Sequence, residues 1–100
     1  MARVELEVRN EHGLHARPAA LFVQTAGRFS SKITLLNLDR PSAKPIDAKS
    51  IMSVLTAGVH SGGRIALEAE GADSEEAITA LTDLIASGLG ESTSAGPSAQ

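Results

Sequence analysis

The feature that most constrains the fold is a change of hydrophobic period within the first 26 residues. Val4, Leu6 and Val8 alternate with Arg3, Glu5, Glu7 and Arg9, which predicts a strand with one buried and one wet face. Ala19, Phe22, Val23 and Ala26 then fall at i, i+3, i+4 and i+7. That spacing predicts an amphipathic helix over 16–26, with Gly27 as its stop and Pro18 tolerated in its first turn. The strand has one apolar face and the helix one apolar stripe, and each needs cover, so a sheet with helices laid on it is the expected layering.

The rest of the chain repeats this alternation of elements. Ile33 and Leu35 continue as a second strand, with Thr34 and Leu36 on the opposite face, and Asp39 to Ala43 carry turn chemistry. A short third strand is expected near Lys44 to Asp47; Pro45 cannot donate a ladder hydrogen bond, so this strand should lie at an edge or begin irregularly. Ser50 is positioned to cap a short helix, "IMSVLTAG", ending at Gly58. Gly62 and Gly63 turn the chain into a fourth strand, where Ile65, Leu67 and Ala69 alternate with Ala66, Glu68 and Glu70. Asp73 and Glu76 have the spacing of a capping box, and Ala77, Ile78, Leu81, Leu84 and Ile85 draw the apolar stripe of a last helix ending near Gly88. The predicted order is βαββαβα, an α+β open-faced sandwich. Residues 1–90 form one domain in this reading, and 91–100, "ESTSAGPSAQ", are expected to be a disordered tail because they lack apolar residues to bury.

Composition then narrows the function. A net charge of −3 with no Lys/Arg cluster speaks against nucleic acid, so a phosphate ligand would need a local device. With two aromatic residues, Phe22 and Phe29, stacking on bases or sugars is not expected, and with no cysteine there is no thiolate chemistry. No apolar run approaches transmembrane length, and the N-terminal alternation starts too early for a signal peptide, so a cytoplasmic protein without membrane insertion is expected. His12, His15 and His60 lack the spacing of a metal site, and no P-loop string is present. Neither a metal nor another cofactor is expected.

The local device is in Asn10 to Ala20, "NEHGLHARPAA". A helix begins with N–H groups that have no intrahelical acceptor and with the positive end of its dipole, so it favours an anion there. His15 stands just before the predicted helix, where its imidazole and the N–H groups of Ala16 and Arg17 would converge on one small volume. Pro18 keeps that turn rigid and Gly13 gives the preceding turn freedom to expose the ring. The positive end disfavours imidazolium and keeps the ring nucleophilic. It favours the product once a phosphoryl group sits on the ring, and the Arg17 guanidinium can add a charge-assisted hydrogen bond. A plain polar cap on a surface helix is the alternative that the residues alone leave open.

The string Gly13-Leu-His-Ala-Arg-Pro-Ala19 resembles the active-site signature of the HPr family, the histidine-containing phosphocarriers of the bacterial phosphoenolpyruvate:sugar phosphotransferase system. The resemblance recurs in register at "QTAGRF", "KSIMSVLTAG" and "GADSEEAITALTDLIASGLGE", covering nearly everything before Ser92. It implies a four-stranded antiparallel sheet covered by three helices. It also implies a carrier, not itself a full catalyst, that takes phosphoryl at Nδ1 of His15 from phosphorylated enzyme I and passes it to sugar-specific IIA domains, with Arg17 assisting.

The resemblance further places at Ser50 a regulatory serine, phosphorylated in many members by a dedicated kinase, the HPr kinase/phosphorylase. A phosphate there would add negative charge at a helix N-terminus beside the partner surface, whereas a simple N-cap is the structural alternative. Ile51, Met52 and Leu55 cannot all point inward from so short a helix, so an exposed apolar docking patch is expected near His15, bordered by Ala20 and Gln24. A carrier alternating between partners through one small face is expected to be a monomer. Three departures from the family pattern bear on partner preference: His12 stands where a small or polar residue is usual, Ser53 where glycine is common, and the turn at Asp39 to Ala43 is longer than a tight hairpin. His12 has two readings, an exposed loop residue or a hydrogen-bond partner near the phosphate. Alternatives for the whole chain are a specialised carrier of a nitrogen-related or dihydroxyacetone kinase system, and a regulatory binding module acting through Ser50.

Overall fold

The computed structural model describes residues 1–10 and 12–89. The elements run in the expected order: β1 (Ala2–Val8), α1 (Ala16–Ala26), β2 (Lys32–Asn37), β3 (Ile46–Asp47), α2 (Ile51–Thr56), β4 (Gly63–Glu70) and α3 (Ser74–Ala86). The strands form one antiparallel sheet in the order β1-β4-β2-β3. β3 is an edge strand that begins at Ile46, after Pro45 rather than through it, as a residue without an N–H requires.

Register explains which face is wet. Val4 pairs with Leu67 and Leu67 with Leu35, so one row of large aliphatics crosses three strands toward the helices. The neighbouring row, Arg3 with Glu68 and Glu68 with Thr34, points the other way. On that outer face Arg3 donates to Glu5 at 2.8 Å and to Glu68 at 3.1 Å, and Arg64 lies 3.6 Å from Glu5. Exposed pairs of this kind add little stability, and they keep a wet sheet face polar.

The core lies between the sheet and the helices. Phe22 of α1, Val54 of α2, Leu81 of α3 and the strand residues Leu35, Ile65 and Leu67 are all fully buried. Phe22 is the one aromatic side chain fully inside; the rest of the interior is aliphatic, as the composition required. α3 closes with Gly88 at φ 90° and Leu89 at φ 54°, which turns the fully buried Leu89 back to donate its N–H to Leu84.

One local expectation is corrected. Asp73 precedes α3, but its carboxylate makes no cap hydrogen bond. It accepts instead from the backbone N–H groups of Ser30 and Ser31, each at 2.9 Å, and from the Ser31 hydroxyl. The segment entering β2 carries the N–H groups of exposed Ser30 and buried Ser31, and Asp73 serves both in preference to its own helix. The Ser31 hydroxyl, then the Ser30 N–H, hold the Asp73 carboxyl well below its ordinary 3.8, at about 2. The expected tail, 91–100, lies outside the described residues.

Candidate functional site

The site is built where the loop after β1 lies along the loop before β4. Gly62 donates to the carbonyl of Val8 at 2.7 Å, and Leu14 donates to the carbonyl of Val59 at 3.0 Å. Asn10, buried after β1, donates from Nδ2 to the carbonyl of Gly13 at 2.6 Å, and Gly13 returns its N–H to the carbonyl of Asn10 at 3.2 Å. Gly13 has φ 71°, and a Cβ there would stand 2.4 Å from the Val59 oxygen and 2.7 Å from the carbonyl carbon of His60. Glycine is therefore required twice, for the left-handed backbone and for the close approach. Leu14 plugs the turn into the core.

His15 follows in an extended conformation, φ −95° and ψ −167°, as the N-cap of α1. Its carbonyl accepts the N–H of Ala19 at 2.8 Å, which starts the helix, while its imidazole makes no cap hydrogen bond. Pro18, Ala19, Phe22 and Ala26 bury one side of α1. Ala16 and Arg17 are exposed on the first turn, where their N–H groups have no helical acceptor, and Pro18 has no N–H to offer. Arg17 makes no hydrogen bond or ion pair among the described residues. A half-buried imidazole, two open backbone donors and an unpaired guanidinium thus share the start of one helix, suited to a group that gains negative charge on the ring.

α1 and α2 pack against each other, so their outer surfaces adjoin. Ser50 caps α2, its Oγ accepting the Ser53 N–H at 3.3 Å. Val54 is the buried anchor of this short helix, and Met52 is 69% exposed, with Ile51 and Leu55 at 37% each. Three large apolar side chains of α2 are therefore exposed, as expected of so short a helix. Ala20 is half-buried and Gln24 exposed on α1.

The flanking segments fix α2 at both ends. Lys49 donates to the Phe29 carbonyl at 2.7 Å. Asn37 donates to the Ala57 carbonyl at 2.9 Å and Arg40 to that of Thr56 at 3.3 Å. The turn at Asp39 to Ala43 therefore supplies a cation to the C-terminal carbonyls of α2.

Two features of the site were not legible in the sequence. Asn10 was not singled out, although an asparagine ahead of a glycine turn is a known turn signal. His12 is exposed, as one of its readings held, but its ring also stands edge-on to that of His15, with centroids 5.4 Å apart and planes at 81°. Among the described residues no group of three His, Cys, Asp or Glu side chains is placed to hold a metal ion, and no helix is long and apolar enough to cross a membrane.

Comparison with known proteins places this geometry among phosphocarriers. The sequence pattern described as "PTS HPr component phosphorylation site" matches residues 2–87. The multiphosphoryl transfer protein of Escherichia coli O157:H7 is 51% identical over 87 residues, which are 87% of this chain and 23% of that protein. The chain thus spans under a quarter of the length of that curated relative. Among solved structures, HPr from Thermoanaerobacter tengcongensis is 52% identical with a TM-score of 0.83, covering 92% of this chain and 99% of that one. The histidine-containing phosphocarrier protein of a Mycoplasma is 34% identical with a TM-score of 0.76, covering 88% and 97%.

Proposed function

From the premise that this chain belongs to the PTS HPr phosphorylation-site family, we propose that it is a monomeric phosphoryl carrier working through His15. Nδ1 of His15 attacks the phosphorus of phosphorylated enzyme I. The N–P bond forms as the donor's bond to phosphorus breaks, and the group passes by the reverse chemistry to IIA domains of sugar permeases. The two transfers together return the carrier to its starting state, so it serves as a stoichiometric intermediate between its donor and its acceptor.

The observation that carries this reading is the placement of His15 at the start of α1, beside the open N–H groups of Ala16 and Arg17 and the exposed Arg17 side chain, which has no partner among the described residues. The phosphoryl oxygens bring negative charge to donors already oriented by the helix, with little reorganisation. The exposed side chains of Ile51, Met52 and Leu55, with Ala20 and Gln24 beside them, form the surface against which both partners dock in turn. Short residence suits a small apolar patch.

Ser50 is assigned a regulatory role on the same surface. Its hydroxyl is at the N-terminus of α2, immediately before Ile51 and Met52. A phosphate there adds negative charge beside the docking patch and repels acidic partners.

The test is phosphorylation of wild type and His15→Ala with enzyme I and labelled phosphoenolpyruvate. Acid-labile label on wild type, absent from the variant and chased onto a IIA domain, is expected. Label that persists in His15→Ala overturns the assignment.

A further inference from the structure

The contact between the rings of His12 and His15 points to a second residue acting on the carried group. The two imidazoles meet edge to face with centroids 5.4 Å apart. This approach is held by the backbone on both sides. Asn10 and Gly13 bond each other across the turn, His15 donates its N–H to the carbonyl of Gly13 at 3.0 Å, and Leu14 is tied to Val59. The bond from Leu14 to Val59 keeps the turn from swinging outward, and the absence of a side chain at Gly13 lets the turn lie this close to Val59 and His60. His12 therefore lies in a turn tied at Asn10, Gly13 and Leu14, with an exposed side chain whose ring meets that of His15 at a steep angle.

We propose that His12 is a positioning residue for the phosphorylated carrier, a proton-dependent donor toward the phosphoryl group on His15. The inference rests on the reading of His15 as the acceptor. Once the group is on that ring, its oxygens enter the space beside the His12 imidazole. A neutral imidazole offers one N–H; an imidazolium offers two, with a positive charge. The protonated ring thus stabilises the charged product more than the neutral one does, and by linkage the phosphorylated form binds that proton more tightly.

Falling pH then favours retention of phosphoryl and rising pH favours its release. The other ionisable groups of this neighbourhood are His15 itself, Arg17 on α1, His60 on the loop against Gly13, Arg9 after β1, and Glu11, next in sequence. His60, Glu11, His15 and the phosphoryl oxygens are shared by parent and variant, so a comparison of the two isolates His12.

The experiment compares wild type with His12→Gln and His12→Asn. Neither variant disturbs the turn's hydrogen bonds, which are made by Asn10, Gly13, Leu14 and His15. Each protein is equilibrated with enzyme I, phosphoenolpyruvate and pyruvate from pH 5.5 to 8.5, and the phosphorylated fraction is read by phosphorus NMR. The His12 ring signal is followed in parallel by proton NMR.

Wild type is expected to gain about threefold to tenfold in its phosphorylation constant over the variants as pH falls, the range for one charge-assisted contact at a partly exposed site. Its His12 signal should titrate at higher pH when the carrier is phosphorylated. If all three proteins take acid-labile label on His15 and their pH profiles superimpose, the role of His12 is overturned and the carrier reading stands. If none takes label on His15, both readings fall together.

Discussion

Replacing Gly13 with alanine tests the claim that the accepting histidine is held by a backbone clamp. Gly13→Ala forces an L side chain to φ 71°, at a cost of about 1 kcal/mol. The new Cβ would lie 2.4 Å from the Val59 oxygen, so the turn must withdraw, and the hydrogen bond from Leu14 to that same oxygen is lost, costing about another 1 kcal/mol. With some unpacking of Leu14, the total is about 2–3 kcal/mol. For a domain of this size that lowers Tm by roughly 10–20 °C. Gly62→Ala is the control. It has φ 82°, yet its Cβ would meet only the flexible tip of Glu7, at 4.0 Å, so it bears the conformational cost alone and loses about 4–8 °C. Circular dichroism melts and urea titrations measure both, and label uptake at His15 should drop in Gly13→Ala. Equal melting temperatures for the two variants would refute the clamp, since the turn could then leave Val59 at no cost.

Asp73→Asn addresses the bond between the start of β2 and the start of α3. The folded carboxyl titrates at about 2, below its ordinary 3.8. Its stabilisation is therefore complete above about pH 4 and lost as pH falls toward 2. Urea midpoints of wild type and Asp73→Asn should differ most near neutrality and converge over that acid window. Leu35→Ala empties a fully buried site in the middle of the sheet and should cost about 2–5 kcal/mol in chemical denaturation, with Leu36→Ala, on the wetter face, costing less. Met52→Ser, at 69% exposure, should change stability by less than about 0.5 kcal/mol while raising the KM for transfer to a IIA domain about tenfold, as loss of an apolar interface anchor would.

The elements were legible wherever apolar period and punctuation agreed. The α1 span needs only the Ala19, Phe22, Val23, Ala26 stripe and the Pro18 start, and its ends fall at Ala16 and Ala26. Pro45 left β3 an edge position or an irregular start, and the strand has the edge position and begins only after the proline. The placement of His15, Arg17 and Ser50 at helix starts was legible because each lies within a few residues of the helix end beside it. What could not be read depends on residues far apart in sequence. The Asp73 carboxylate had a local use as a cap, and only the folded chain brings Ser30 and Ser31 to compete for it. Gly13 was read for its conformational freedom, whereas its second constraint comes from Val59. The contact of His12 with His15 depends on the hand of a turn, which spacing does not specify.

The strand order carries a consequence for how the protein is made. β4, late in sequence, is the partner of both β1 and β2, with pairs as distant as Ala2 and Ala69, while the local β2–β3 hairpin has only two registered pairs. Pairing across such separations must meet loop-closure entropy before it is rewarded, which places this fold toward the slower range for its size. A nascent chain that has passed Ser50 already carries the whole His15 motif, but not the Val59 carbonyl that fixes Leu14 or the strand that completes the sheet. The clamp behind the His15 loop is thus completed only when the segment around Val59 and the strand β4 have been made.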